Sequence, residues 1–192
     1  TVDIYDQSMF YDACQKFAVM LEAAGLKDKA LEWKKRAESI RLNTNRFLWM
    51  ENKGFFRIHI HLDDLRHDFD EDEIFAMGGN ASALVSGLAD QNQAARIIQA
   101  ALERQNRFQI STISGTLLPP YPEGTFLHPM MDDLFEYQNG AQWDWFGGRL
   151  VLAMFKRGFS RTAKEKLLEI ARKNVANGGF FEWDNREGIG RG

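Results

Sequence analysis

Ala83-Leu-Val-Ser-Gly-Leu-Ala-Asp-Gln-Asn-Gln-Ala-Ala-Arg-Ile-Ile98 is the stretch on which the reading of the chain turns. Apolar residues recur at helical spacing on both sides of its centre: Met77, Ala81, Leu84, Val85 and Leu88 before it, Ala94, Ile97, Ile98, Ala101 and Leu102 after it. Gly87 suits the left-handed position that closes a helix, and Asp90 can cap the next one. Asp90 with Gln93 fits a capping box, in which each side chain takes a free backbone N–H at the other's position. A connector this short makes the two helices antiparallel neighbours.

The same device occurs twice more. Gly25 and Asp28 separate a stripe of Phe10, Ala13, Cys14, Phe17, Leu21 and Ala24 from one of Ala30, Trp33, Ala37, Ile40, Thr44 and Phe47. Gly158 and Ser160 separate Trp143, Phe146, Leu150 and Met154 from Ala163, Leu167, Ile170, Ala171 and Asn174. In both, a glycine ends one helix and an Asp or Ser is placed to cap the next. The repeating unit is one αα-hairpin plus a long return segment: residues 47–73, 107–129 and 178–188. These segments are rich in aromatic and β-branched residues, and Phe56, Ile58 and Ile60 alternate as in a short strand. Short turns therefore lie on one side and long loops on the other, where a ligand should bind. The predicted fold is all-α, with short β-strands in the long loops. Three hairpins make half of a six-hairpin (α/α)6 toroid, although an open helical-repeat array fits the periodicity equally well. The sequence opens inside a pattern without an initiator Met and stops at Gly-Ile-Gly-Arg-Gly192. On that reading residues 1–192 are part of one domain of a longer polypeptide.

Composition narrows the function classes. The 192 residues are 44% hydrophobic and 27% charged, as in an ordinary folded protein and unlike a disordered one. A net charge of −3 gives no electrostatic reason to expect nucleic acid or an anionic membrane as partner. Cys14 is alone, so no internal disulfide forms. No apolar run approaches the roughly 18–20 residues of a membrane span. The 15 Phe, 5 Trp and 4 Tyr stand out, because several cluster with carboxylates in the loops.

Two such clusters invite chemistry. Glu182 lies between Phe181 and Trp183, with Asp184 next, on a loop past a helix end. Aromatic walls that exclude water and offer faces to sugar rings suit a general base. The competing reading has Phe180 and Phe181 plugging the core and Glu182 solvated. The second cluster is Tyr137 to Gly148, where Asn139 or Gly140 can start a helix carrying Trp143, Asp144 and Trp145 in its first turns. Trp143 and Trp145 stand roughly 200° apart, so only one can face the core. Asn139, Gln142 and Asp144 near a helix N-terminus suit a polar ligand, while two tryptophans serving only as packing is the alternative. Asp68, Asp70 and Asp72 have the spacing of a calcium loop, but Glu73 and Gly79 break it, leaving a solvated or helix-capping acidic run. His59, His61 and His67 have no carboxylate or cysteine at zinc spacing, and no metal site is expected. His128 and Glu123 shape a proline-rich loop. No phosphate loop, dinucleotide fingerprint or serine-nucleophile elbow occurs.

The order of hairpin, Gln138-Asn139-Gly140-Ala141-Gln142-Trp143 at a helix start, short Gly-Phe turn, and Gly178-Gly-Phe-Phe-Glu-Trp-Asp184 resembles the C-terminal half of the six-hairpin glycosidases. It is nearest the inverting clan of trehalase, the glycoprotein-processing α-glucosidase and mannosylglycerate hydrolase. In that clan a W-R-G-P-x-W segment lines the sugar site, and Asn139 stands where the clan has arginine. The clan's general base is the Glu of an E-x-Y-D loop, to which Glu182-Trp183-Asp184 is similar. The opening Val2-Asp3-Ile4-Tyr5 resembles the clan's V-D-L-N segment, upstream of which the acid, an Asp, lies. Asp70, Glu71, Glu73 and Glu123 are lower-ranked acids, on the pattern of other six-hairpin families. The resemblance implies hydrolysis of an oligosaccharide or small glycoside with inversion, the carboxyls roughly 6.5–9.5 Å apart to admit water. It further implies Trp143 or Trp145 with Trp183 stacking on the sugar, and Asn139, Gln142, Asp144 and Asp184 around it. No cofactor is implied, and the remainder of the polypeptide is the expected partner. The alternatives are a non-catalytic helical-repeat binding module, or another toroid enzyme: a phosphorylase, a debranching glucosidase or a polysaccharide lyase.

Overall fold

The computed structural model describes residues 1–192, the side chain of Asp132 excepted. Three helical hairpins follow one another: α1 (Ile4–Ala23) with α2 (Lys27–Leu48), α3 (Met77–Ser86) with α4 (Gln91–Phe108), and, after the short α5 (Pro129–Asp132), α6 (Asp144–Lys156) with α7 (Ser160–Asn177). Helices α1, α3 and α6 pack side by side as one row, α3 in the middle, and α2, α4 and α7 back them. This is the two-layered arc of an (α/α) toroid.

The connectors behave as the sequence predicts at their glycines, with Gly25, Gly87 and Gly158 at φ of +77°, +84° and +87°. The capping box is complete: Gln93 N donates to Asp90 at 2.8 Å, and Asp90 N donates to the Gln93 side chain at 3.0 Å. The other two predicted caps are corrected. Neither Asp28 nor Ser160 caps a helix, because α2 and α7 already begin at Lys27 and Ser160, behind Leu26 and Phe159, which supply no side-chain hydrogen bond. The buried stripe of α1 is Ile4, Ser8, Tyr11, Cys14, Ala18 and Leu21, while Phe10 and Phe17 are exposed. The helix is turned so that these rings lie off the core face, Phe17 edge-on to Trp33 at 5.0 Å.

Each long return segment is stitched by two-residue strands. The predicted single strand is split: β2 (Trp49–Met50) pairs with β3 (Phe55–Phe56), while β4 (His59–Ile60) pairs with β1 (Val2–Asp3). Strand β5 (Phe75–Ala76), just ahead of α3, pairs with β6 (Leu117–Leu118), and β7 (Trp183–Asp184) pairs with β8 (Gly190–Arg191). Phe55, Phe56 and Phe75 are buried here, with the Phe55 and Phe75 rings 5.3 Å apart. The Arg104 guanidinium covers Phe55 at 4.4 Å and donates to the Leu118 and Glu73 carbonyls.

Asn80, fully buried in α3, holds β3 by its backbone. Its Oδ1 accepts from Phe56 N at 2.9 Å, and its Nδ2 donates to the Phe56 and Ala76 carbonyls, both at 3.1 Å. An Asn80→Leu substitution strands a buried N–H and a buried carbonyl of Phe56. It is expected to cost about 2–4 kcal/mol, since each unpaired buried group costs about 1–3. Thermal unfolding against the parent measures it.

Candidate active site

α3 and α6 each follow a long segment, and the start of α1 is tied to the first of these by the pairing of β1 with β4, so the N-terminal ends of all three helices lie on the long-loop side. Glycine lets them converge. A Cβ on Gly79 would stand 2.3 Å from Ile4 Cγ2, and one on Gly78 would stand 2.8 Å from the Phe146 ring. The three helix starts and the segments above them enclose a hollow of about 230 Å3 lined by Tyr5, Gly78, Gly79, Thr116, Gln138 and Phe146.

Beside it three segments are locked together. Gln142 and Asp184 exchange backbone hydrogen bonds at 2.8 and 2.9 Å. The fully buried Gln142 side chain accepts from Thr112 N (2.8 Å), Thr112 Oγ1 (2.7 Å) and Ser111 Oγ (3.0 Å). Its Nε2 donates to the Asn185 and Arg186 carbonyls. Asn139, equally buried, accepts from Tyr121 N and donates to Tyr121 O. Lys173 Nζ binds Asp144 at 3.0 Å and also Asp184, each aspartate having an asparagine partner as well, Asn174 and Asn177. Asn139, Gln142 and Asp184 are thus placed inside the chain, where their polar groups fix loops to one another. Helix α6 starts at Asp144 and not at Asn139 or Gly140, which lie in a turn bridged back to Glu136, Gly140 at φ of +97°.

The aromatic residues divide differently. Trp183 is buried, Trp143 is half-buried, and Trp145 is 63% exposed with Arg149 stacked on it at 5.1 Å. Between Trp143 and Trp183 stands Tyr137, its ring 5.3 Å from the first and 6.2 Å from the second, its carbonyl accepting from Trp143 Nε1. Tyr137 has no role in the sequence reading. Its φ of +42° turns the ring into this row, and nothing in residue type or spacing announces that turn. Trp183 also faces a hollow of about 520 Å3 with Glu136, Asp133, Met130 and Pro129. Burial pushes the Glu136 carboxyl above its ordinary pKa; Asp133 and Glu187 add to the shift and Arg191 opposes it.

Glu182 is exposed one residue before β7, and a Cβ on Gly192 would lie 3.1 Å from its Oε2. The expected aromatic walls are corrected: Phe181 lies over Gly190, and Trp183 turns inward against Tyr137. Neighbours along a near-extended backbone project to different sides and do not wall the residue between them. Phe180 and Phe181 do not plug the core either, being 88% and 40% exposed.

A general acid needs a raised pKa, and two of the lower-ranked candidates are shifted the other way. Asp70 is held below its usual range by its hydrogen bond to Lys53. At Glu71 burial pushes upward, but the Tyr121 hydroxyl, His59 and His61 outweigh it, and the net shift is downward. Asp70 caps the 3-10 turn Glu71–Glu73, as the capping reading of the acidic run has it. His128 caps α5, and Glu123 is exposed. Among the described residues no helix is long and apolar enough to cross a bilayer.

Three hairpins with the starts of one helical row and all long loops gathered at one rim are the architecture of the six-hairpin glycosidases. A trehalase family model matches residues 1–125, and the chain belongs to that family. Among solved structures, the GH63 mannosylglycerate hydrolase from Thermus thermophilus, crystallised with glucose, is similar at a TM-score of 0.70 and 16% identity. That alignment covers 99% of this chain and 43% of the other. The neutral trehalase of Saccharomyces cerevisiae is similar at 0.65 and 14%, covering 96% and 34%. The chain therefore spans less than half the length of these two structures. No curated protein sequence matches it.

Proposed function

We propose that residues 1–192 are part of one (α/α)6 catalytic domain of a longer polypeptide that hydrolyses a glycosidic bond with inversion, and that Glu182 is its general base. One observation carries this reading: the backbone lock between Asp184 and Gln142 puts Glu182 two residues from a segment that itself ends one residue before Trp143. The carboxylate and the indole-bearing helix start thus belong to one rim. Trp143 and Tyr137, both half-buried, offer ring surface for a sugar with Trp183 packed behind Tyr137, and Trp145 is open to a second sugar. Glu136, beside Trp183 in the same hollow, is placed to hydrogen-bond a sugar hydroxyl. Asn139, Gln142, Asp144 and Asp184 act by holding this rim in place. The general acid comes from outside residues 1–192, as the resemblance to the inverting clan implies. Water activated by Glu182 attacks the anomeric carbon from the face opposite the departing oxygen, which the acid protonates.

The test is proton NMR of the first sugar released when the intact polypeptide is given α-glucosides and α-mannosides. A β-anomer appearing before mutarotation is the expected result. Release of the α-anomer overturns inversion, and sugar binding without turnover favours the non-catalytic module.

A further inference from the structure

The fold brings together what the linear spacing of the histidines conceals. His59 lies in β4, pinned by its pairing with β1, and His61 is two residues on, so both rings can serve one face. The segment then folds back so that Glu71, ten residues past His61, opens the 3-10 turn directly against them. His59 Nε2 and His61 Nε2 are 3.1 Å apart. Glu71 Oε1 is 3.1 Å from His59 Nε2, and Oε2 is 3.1 Å from His61 Nε2. His67 Nε2 stands 3.4 Å from Oε1.

Hydrogen bonding alone does not satisfy this arrangement. If both Nε2 atoms carry protons for Glu71, the two N–H groups confront each other; if one does not, it loses its carboxylate partner. A cation among them satisfies all three groups. Bonds of 2.0–2.1 Å in tetrahedral geometry put neighbouring ligand atoms about 3.3 Å apart, close to the spacing found here.

We propose that His59, His61 and Glu71 form a binding site for a divalent transition metal of the zinc class, with His67 beside the fourth position. Two imidazoles and one carboxylate are the donors such an ion takes, whereas calcium requires six to eight oxygens. The first ligand sits on a paired strand, and the carboxylate sits on a turn whose flanking Asp70 and Glu73 both bind Lys53. Tyr121 donates to Glu71 Oε1 at 2.7 Å, the outer-shell bond that orients a ligating carboxylate. The ligands are mostly but not wholly buried, with side chains 14–18% exposed. They line a hollow of about 370 Å3 walled by Leu65, Leu117, Phe126 and Met131, through which an ion can enter. His61 Nδ1 is buried without a partner among the described residues. That missing support sets the affinity about 10–100-fold below that of a fully supported site.

The experiment uses the intact polypeptide, stripped by a chelator, equilibrated with zinc chloride, desalted and assayed by plasma emission. A His59→Ala/His61→Ala double variant is treated alongside. The wild type is expected to retain about one equivalent more zinc than the double variant, and cobalt chloride to give visible d–d absorption that the variant lacks. Glu71→Gln keeps the side chain's shape and its place beside Tyr121, and is expected to weaken zinc binding by more than about tenfold. If the double variant fails to fold, the Glu71→Gln titration and a zinc-dependent rise in the wild-type melting temperature decide. Equal zinc content in wild type and folded variant, undiminished binding by Glu71→Gln, or no retained zinc at all overturns the site.

Discussion

Replacing Glu182 with glutamine in the intact polypeptide is expected to lower kcat for glycoside hydrolysis by about 10²–10⁴-fold, the usual contribution of a general base. Substrate affinity should change little, because glutamine keeps the side chain's size and the sugar-facing rings are elsewhere. Glu182 is exposed, so the fold is not at risk and circular dichroism should match the parent. Azide is a nucleophile that needs no base. It is expected to restore turnover in the variant as a glycosyl azide of inverted configuration, an outcome a merely structural role would not give. Hydrolysis undiminished in the variant removes Glu182 from the mechanism and leaves the family and the fold as they stand.

The largest loss of stability is expected at Lys173. Its ammonium lies in a site where its own side chain is 6% exposed and Asp184 only 2%, with Asp144 on the other flank. In Lys173→Met the two carboxylates remain beside each other without their shared cation. Breaking a buried ion pair by removing one partner costs about 3–5 kcal/mol, mostly through the charge left behind. Substituting Asp184→Asn in the same background removes one of those charges and should recover part of the loss. Chemical denaturation of the single and double variants measures both effects. Activity should fall with stability, because Lys173 ties the first turn of α6 to β7 and so holds Trp143 and Trp183 on either side of Tyr137. A Lys173→Met protein as stable as its parent contradicts this account.

The helices were legible because their signals are local. An apolar residue every three or four positions, a glycine at the turn and one capping box place six helices to within a few residues. The start of α6 was missed because Asn139 to Gln142 look like a helix cap, yet their amides reach Tyr121, Thr112 and Asn185, far along the chain. Such bonds leave no periodic trace. For the same reason nothing in the sequence shows that Asn139, Gln142 and Asp184 hold loops together, or that Tyr137 stands between two indoles. The grouping of the histidines with Glu71 is hidden in the same way. Spacing rules for zinc assume a compact motif, whereas here the carboxylate arrives by a loop that folds back over β4.

The corners opposite the rim have a practical use. Gly25, Gly87 and Gly158 meet nothing within 4 Å where a side chain would begin. Exposed tips of this kind are where added segments are best tolerated. A fluorophore or an affinity peptide grafted there would ride on the blunt end of the molecule, leaving the proposed site at the far end to be watched without being touched.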